Sequence, residues 1–328
     1  MTSSPSDERD RPGRRGKAGT TSLRCLIIGG DGTFGAELAG ALRSHGHEVI
    51  ATTRRRALPA VDGSLYLDLA ETLAILPEVD VAIICAAMAR FEDCRRHPDL
   101  AHRVNVAAPL ELGRTLTRAG SRVILLSTSA VFDCRTPQVS ECEPPRPRSI
   151  YGRLKAEAEA GLLALGPRVS VLRLTKVVRP NLGLLSDWIR TLGAGGGIRA
   201  FDDHRFAPLT VAHVVDALVA LAERGDGGIY HVSGARDVSY AEAGRFLARQ
   251  IGLSDRLVQA LRGVENGLLE DDLTPFTALA TTRLSRLTGF VAPDPLDVLQ
   301  AVYGPEIEQA RKMSAPRLAQ MSDSKGSS

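Results

Sequence analysis

Apolar residues recur along this chain with two periods that take turns. Short runs rich in Val, Ile and Leu (RCLIIGG, HEVIATT, SLYLDL, VDVAIIC, SRVILLS, RVSVLRL) are separated by stretches in which apolar positions return every three or four residues. The latter include FGAELAGALRSHG, a long region from Pro98 to Ala119, and the segment that begins at Tyr151. Strands alternating with helices predict βαβ units, and hence an α/β fold with a doubly wound parallel sheet covered on both faces. This pattern occupies residues 23–177. It then loosens over 178–310, where GIRAF and GGIYHV read as short strands and helices are expected near 211–223, 238–251 and 292–302. That region predicts a smaller C-terminal lobe at the C-terminal edges of the strands, where open α/β sheets bind ligands, with some segments free to return to the first domain. Residues 1–22 and 311–328 lack apolar periodicity and are expected to be disordered.

The chain of 328 residues is 44% hydrophobic and 24% charged, enough for a sizeable core. Its formal charge is +3, of which residues 1–22, with five basic and three acidic side chains, carry +2. The nearly neutral body argues against a nucleic-acid partner. Five cysteines with no C-x-x-C pair suggest neither a disulfide framework nor a zinc site, so free thiols in a reducing cytoplasm are expected. The longest apolar run, VAIICAAMA, falls well short of a membrane span of roughly 18 residues, and no apolar segment follows the basic N-terminus to make it a secretory signal.

Chemistry enters at GGDGTFG, which follows the first strand and opens the first helix. Gly30, Gly32 and Gly35 satisfy G-x-G-x-x-G, and Gly29, Gly32 and Gly35 satisfy the alternative spacing. Either way, glycine allows the tight turn, the approach of a pyrophosphate to backbone, and close packing of helix on strand. A Rossmann-type dinucleotide site is predicted. An NAD-binding chain would usually carry an acidic residue at the end of the second strand, but here that strand ends ATTRRR. Arg54 or Arg55 is placed to pair with a 2′-phosphate with no carboxylate to repel it, which favours NADP(H) over NAD(H).

SIYGRLKAEAEA places Tyr151 and Lys155 four apart, on one face of a helix. A neighbouring ammonium stabilises a phenolate, bringing the phenol closer to proton exchange with a carbonyl or alcohol. The strand LLSTSAVFD ends in hydroxyls, Ser127, Thr128 and Ser129.

GGDGTFG, CAA at Cys85 to Ala87, HRVNV around Asn105, STSAVFD, PPRPRSIYGRLKAEAE, VLRLTKVVRP and FDDHRFAPLTVAHVVDAL occur in this order over residues 23–290. Together they resemble the extended short-chain dehydrogenase/reductase superfamily, and within it the dTDP-4-dehydrorhamnose reductase-like group. The resemblance implies a Rossmann domain with a substrate-binding lobe, and reduction of a 4-keto group on a nucleotide-activated deoxysugar for glycan precursor synthesis. It implies that Thr128 hydrogen-bonds the reacting oxygen, that Tyr151 exchanges its proton, and that Lys155 binds the nicotinamide ribose and tunes Tyr151. Gly29, Gly32 and Gly35, with Thr33 and Phe34 between them, would hold the pyrophosphate. Asp68 and Leu69 would lie by the adenine, and Ala86, Ala87 and Asn105 would line the cofactor side. A homodimer through the helices flanking the site is expected by analogy.

Dehydratases of this superfamily carry acidic residues directly after the threonine; here Ser129 and Ala130 stand there, facing the expected substrate. Elimination of water is therefore disfavoured, leaving keto reduction and 4-epimerisation. A third reading is a non-catalytic regulatory subunit on the same scaffold, which has no need of Thr128, Tyr151 and Lys155 together. His204 and Arg205 are candidate grips for a nucleotide diphosphate. The remaining histidines form no ligand set, so no metal is expected, and Trp188 and Cys85 read as packing residues.

Overall fold

The computed structural model describes residues 21–56, 64–71 and 75–325, with side chains described through Ser314. Most of the expected N-terminal tail lies outside the described residues. The first half of the chain runs β1 (Arg24–Ile28), α1 (Thr33–Ser44), β2 (Glu48–Thr53), β3 (Leu65–Tyr66), β4 (Val81–Ile84), α2 (Phe91–Arg96), α3 (Pro98–His102), α4 (Ala108–Arg118), β5 (Arg122–Thr128), α5 (Ile150–Leu163) and β6 (Val169–Leu174). A π-helical turn, Arg103–Ala107, joins α3 to α4, so the long helical region is continuous but not uniform. The second half runs α6 (Leu184–Gly193), β7 (Ile198–Phe201), β8 (Arg205–Phe206), α7 (Val211–Arg224), β9 (Gly228–Val232), β10 (Val238–Ser239), α8 (Tyr240–Ile251), β11 (Val258–Leu261), α9 (Thr282–Thr288) and α10 (Pro295–Lys325).

Among the described residues a seven-stranded sheet has the order β3-β2-β1-β4-β5-β6-β9, every pair parallel. Alternate residues of each strand face opposite layers. Leu26 and Ile28 pack with Leu112, Leu116, Ala158 and Leu162 of α4 and α5. Cys25 and Ile27 pack with Leu38 and Leu42 of α1 and Val214 and Leu218 of α7. β9 and α7 thus return from the second half to complete the Rossmann sheet and one of its helical layers.

Leu284 of α9 packs into the Rossmann core, while α6, β7, β8, β10, α8, β11 and α10 form a smaller lobe around Trp188, Phe206, Phe246 and Tyr303. Its two short sheets pair β10 with β8 antiparallel and β11 with β7 parallel. Trp188 is a core residue, edge-on to Tyr240 with centroids 6.1 Å apart. α10 corrects the expected C-terminal boundary: the helix expected near 292–302 runs on to Lys325, through the segment from 311 expected to be disordered. The face that buries Tyr303, Ile307 and Ala310 continues to a buried Ser314, and Arg311 Nε donates to the carbonyl of Gln250 at 3.2 Å. Polar composition hid this turn, because its outward face is charged while its inward face still packs.

Candidate active site

β1 ends directly at the glycine loop. Gly29 has φ +95°, and a Cβ there would lie 2.8 Å from the backbone nitrogen of Ala86. A Cβ on Gly35 would collide with the carbonyl oxygen of Gly29, so the helix can sit this close to the strand only with glycine. Gly32 is the N-cap of α1, whose first turn holds no acidic residue, leaving its N–H groups and positive dipole end open to an anion. Beside the loop, a pocket of about 260 Å³ gathers Gly29, Gly32, Arg54, Asp68, Leu69 and Ala86. The residues present fit a dinucleotide: a glycine cradle that side chains would fill, a helix N-terminus, and an adjoining pocket of mixed polarity.

Two expectations about this side are corrected. Asn105 stands behind the wall and not on it: it is 1% exposed, with Oδ1 accepting from Met88 N at 2.9 Å and Nδ2 donating to Met88 O at 3.0 Å. It positions the segment after β4. The end of β2 is also not free of carboxylate, because Asp31 of the glycine loop accepts there from Thr53 Oγ1 at 2.8 Å and from the backbone of Arg54 at 3.2 Å.

A larger cleft of about 760 Å³ lies between the two lobes, lined by Thr33, Phe34 and Ala87 from the cofactor side and by Thr128, Ser129, Ala130 and Tyr151. Ser149 caps α5 by accepting from Gly152 N at 3.0 Å, and Gly152 itself packs onto the carbonyl of Ala130. This close approach brings the first turn of α5, with Tyr151, against the end of β5, with Thr128. Thr128 Oγ1 accepts from Ala130 N at 3.2 Å, leaving its hydroxyl hydrogen for a ligand. The Tyr151 ring lies 5.7 Å from that of Phe91, and burial, followed by the Cys94 and Glu159 charges, pushes its hydroxyl pKa up.

Lys155 is buried and donates to the carbonyl of Leu126 at 2.8 Å; burial lowers its pKa from 10.5 to about 8, with Glu159 opposing. The expected pull of Lys155 on Tyr151 is therefore not what shifts the phenol in this structure. Desolvation dominates, and Tyr151 is held protonated.

Beneath these residues lies a network that sequence reasoning missed. Glu159, one helical turn beyond Lys155, accepts from Arg173 Nη2 at 2.7 Å and Nε at 3.0 Å, and also from the hydroxyl of Ser127. Both charged side chains are at most 2% exposed. Arg173 Nη1 reaches His231 Nε2 at 3.4 Å, and His231 Nδ1 faces the carbonyl of Ala280 at 3.0 Å. A carbonyl can only accept, so Nδ1 carries the hydrogen and Nε2 accepts from Arg173. Burial and the Arg173 charge push His231 down to about 3. The network ties α5 to β5, β6 and β9 directly below the cleft.

On the opposite wall Arg205 lines the cleft, exposed. His204 also lines it, as a neutral ring: it stacks on Tyr240 at 5.1 Å, Nδ1 accepts from Thr274 N at 3.2 Å, and burial and Lys176 lower its pKa to about 4, so it offers the cleft an Nε2–H donor and no charge. Two cations that the sequence did not single out lie near it. Lys176 donates to Tyr240 Oη at 2.6 Å, and Arg179 donates to Thr33 Oγ1. Among the described residues Lys176, Arg179 and Arg205 have no carboxylate partner, whereas Asp272, the acid on this wall, is gripped by Arg95 at 2.8 and 3.0 Å. The buried hydroxyl of Thr175 also lines the cleft without a hydrogen-bond partner. No group of residues suited to a metal ion occurs among the described residues.

Over residues 23–288 the chain matches the RmlD substrate binding domain. The chain belongs to this family. It is 30% identical over 257 residues to the dTDP-4-dehydrorhamnose reductase of Mycolicibacterium smegmatis, covering 75% of each protein. Its fold superposes on the crystal structure of a dTDP-4-dehydrorhamnose reductase from Clostridium acetobutylicum with a TM-score of 0.73 at 21% identity, over 86% of this chain and 98% of that one. MoeE5 in complex with UDP-glucuronic acid and NAD gives 0.71 at 25% identity, over 88% and 99%. The match thus spans the whole Rossmann sheet and the smaller lobe up to α9, and leaves out α10.

Proposed function

We propose that this protein reduces a keto group, at C4 of a nucleotide-activated deoxysugar, with Tyr151 as the general acid. The observation that carries the reading is the meeting in one cleft of Thr33 and Phe34 from the glycine loop with Thr128 and a protonated Tyr151. A bound nicotinamide dinucleotide supplies the hydride to the carbonyl carbon. Thr128 holds the carbonyl oxygen, Tyr151 gives it a proton, and the product is the alcohol. The Lys155 ammonium, on the same helix face, is the cation available to the phenolate that remains. Lys176, Arg179 and Arg205 offer positive charge to the diphosphate of the substrate. Ser129 and Ala130 supply no carboxylate for dehydration, and Asp272 is engaged by Arg95. Arg54 and Arg55, whose side chains have no carboxylate partner among the described residues, favour NADP(H). Relatives named as keto-sugar reductases support the substrate class.

The test is the absorbance of NADPH and NADH mixed with the protein and a panel of nucleotide-4-keto-6-deoxy sugars. Turnover is expected, and Tyr151→Phe should lose ~10²–10⁴ of it while still binding dinucleotide. Dinucleotide binding without turnover would sink the reductase reading; interconversion of nucleotide sugars with no net oxidation would replace it with 4-epimerisation.

A further inference from the structure

The carboxylate missing from the end of β2 is supplied by the glycine loop. Asp31 sits between Gly30 and Gly32, and its Oδ2 accepts from Thr53 Oγ1 at 2.8 Å and from Arg54 N at 3.2 Å. Asp31, Thr53 and Arg54 all line the pocket that also holds Asp68 and Leu69. In a Rossmann fold this strand end holds the adenosine ribose: a carboxylate there accepts from the 2′-hydroxyl, and an arginine there takes a 2′-phosphate. A hydroxyl and a peptide N–H are donors that a 2′-phosphate would use, and here a carboxylate already occupies them. An incoming phosphate must displace that carboxylate and sit against its charge. A 2′-hydroxyl meets no such conflict, since it donates to a remaining lone pair. The Arg54 and Arg55 guanidinium groups pull the other way.

We propose that Asp31 sets the choice of cofactor by competing for the 2′ position, so that removing its charge shifts preference toward the 2′-phosphorylated dinucleotide. The proposal rests on the reading of the glycine loop as a dinucleotide cradle. Dissociation constants for NAD⁺ and NADP⁺, measured by calorimetry on the full-length protein, its Asp31→Ser and Asp31→Asn variants, and Arg54→Ala, separate the two ideas. Both Asp31 variants should move the affinity ratio toward NADP⁺ by about tenfold, which is ~1.4 kcal/mol. Arg54→Ala should weaken NADP⁺ and leave NAD⁺ unchanged. Asparagine keeps an oxygen for Thr53 and Arg54, so it carries the test if the serine variant does not fold. A shift smaller than about threefold, or in the opposite direction, overturns the role of Asp31. Wild-type protein that binds neither dinucleotide overturns the cradle reading instead, and the role of Asp31 falls with it.

Discussion

Replacing Glu159 by Gln tests whether the buried network beneath the cleft is a coupled ion pair that stabilises the fold. The substitution keeps volume, so it opens no cavity and removes essentially one charge. Arg173, 1% exposed, then faces an uncharged amide in place of the carboxylate, with His231 Nε2 at 3.4 Å and the Phe132 ring at 4.9 Å as its other partners. Two unit charges about 4 Å apart attract by ~4 kcal/mol at an effective dielectric of ~20. Breaking one side of a buried pair typically costs ~3–5 kcal/mol, because the other charge stays desolvated. We expect Glu159→Gln to lose that much stability in urea unfolding followed by circular dichroism, with an unchanged m value. Arg173→Met added to it should recover most of the loss, since the second substitution removes the stranded cation. A single-variant loss below ~1 kcal/mol, or a double variant as damaged as the sum of both singles, would refute the assignment of a coupled buried pair.

Two further predictions concern pH. Lys155, lowered to about 8, loses its charge as pH rises through that value, so reduction should fall along an alkaline limb near pH 8. Over the same range the unfolded chain keeps the proton up to its ordinary 10.5, so this group makes stability rise with pH between about 8 and 10.5. An activity limb absent below pH 10 would contradict the depressed value. His204 and His231, lowered to about 4 and 3, remain neutral in the folded protein while the unfolded chain protonates them below 6.5. Their contribution is full above 6.5 and is lost as pH falls through that window, by up to ~1.4 kcal/mol per pH unit for each. Equal urea midpoints at pH 7 and pH 5 would show that neither ring is held neutral.

The parts of this protein legible in its sequence are those where local geometry dictates residue type. Strands buried on both faces need apolar residues at every position, which makes β1 and β4 unmistakable, and the close approach of α1 to β1 needs glycine at position 35. Tyr151 and Lys155 are legible as a pair because i and i+4 share a helix face. What that spacing does not contain is the third partner of each group. It cannot show that Lys155 spends a hydrogen bond on the carbonyl of Leu126, or that Glu159, on the same face one turn later, answers Arg173 on β6. The place of Asn105 is illegible for the same reason: a motif marks its position along the chain, while the π-helical turn that carries it decides which side of the wall it occupies. Asp31 stands in the most recognisable motif of the chain, yet its reach to β2 appears only when loop and strand end are set side by side. The chemistry of the cleft is therefore distributed unevenly. The pairing of Tyr151 with Lys155 follows from local spacing, whereas their protonation states follow from contacts between elements far apart in the chain.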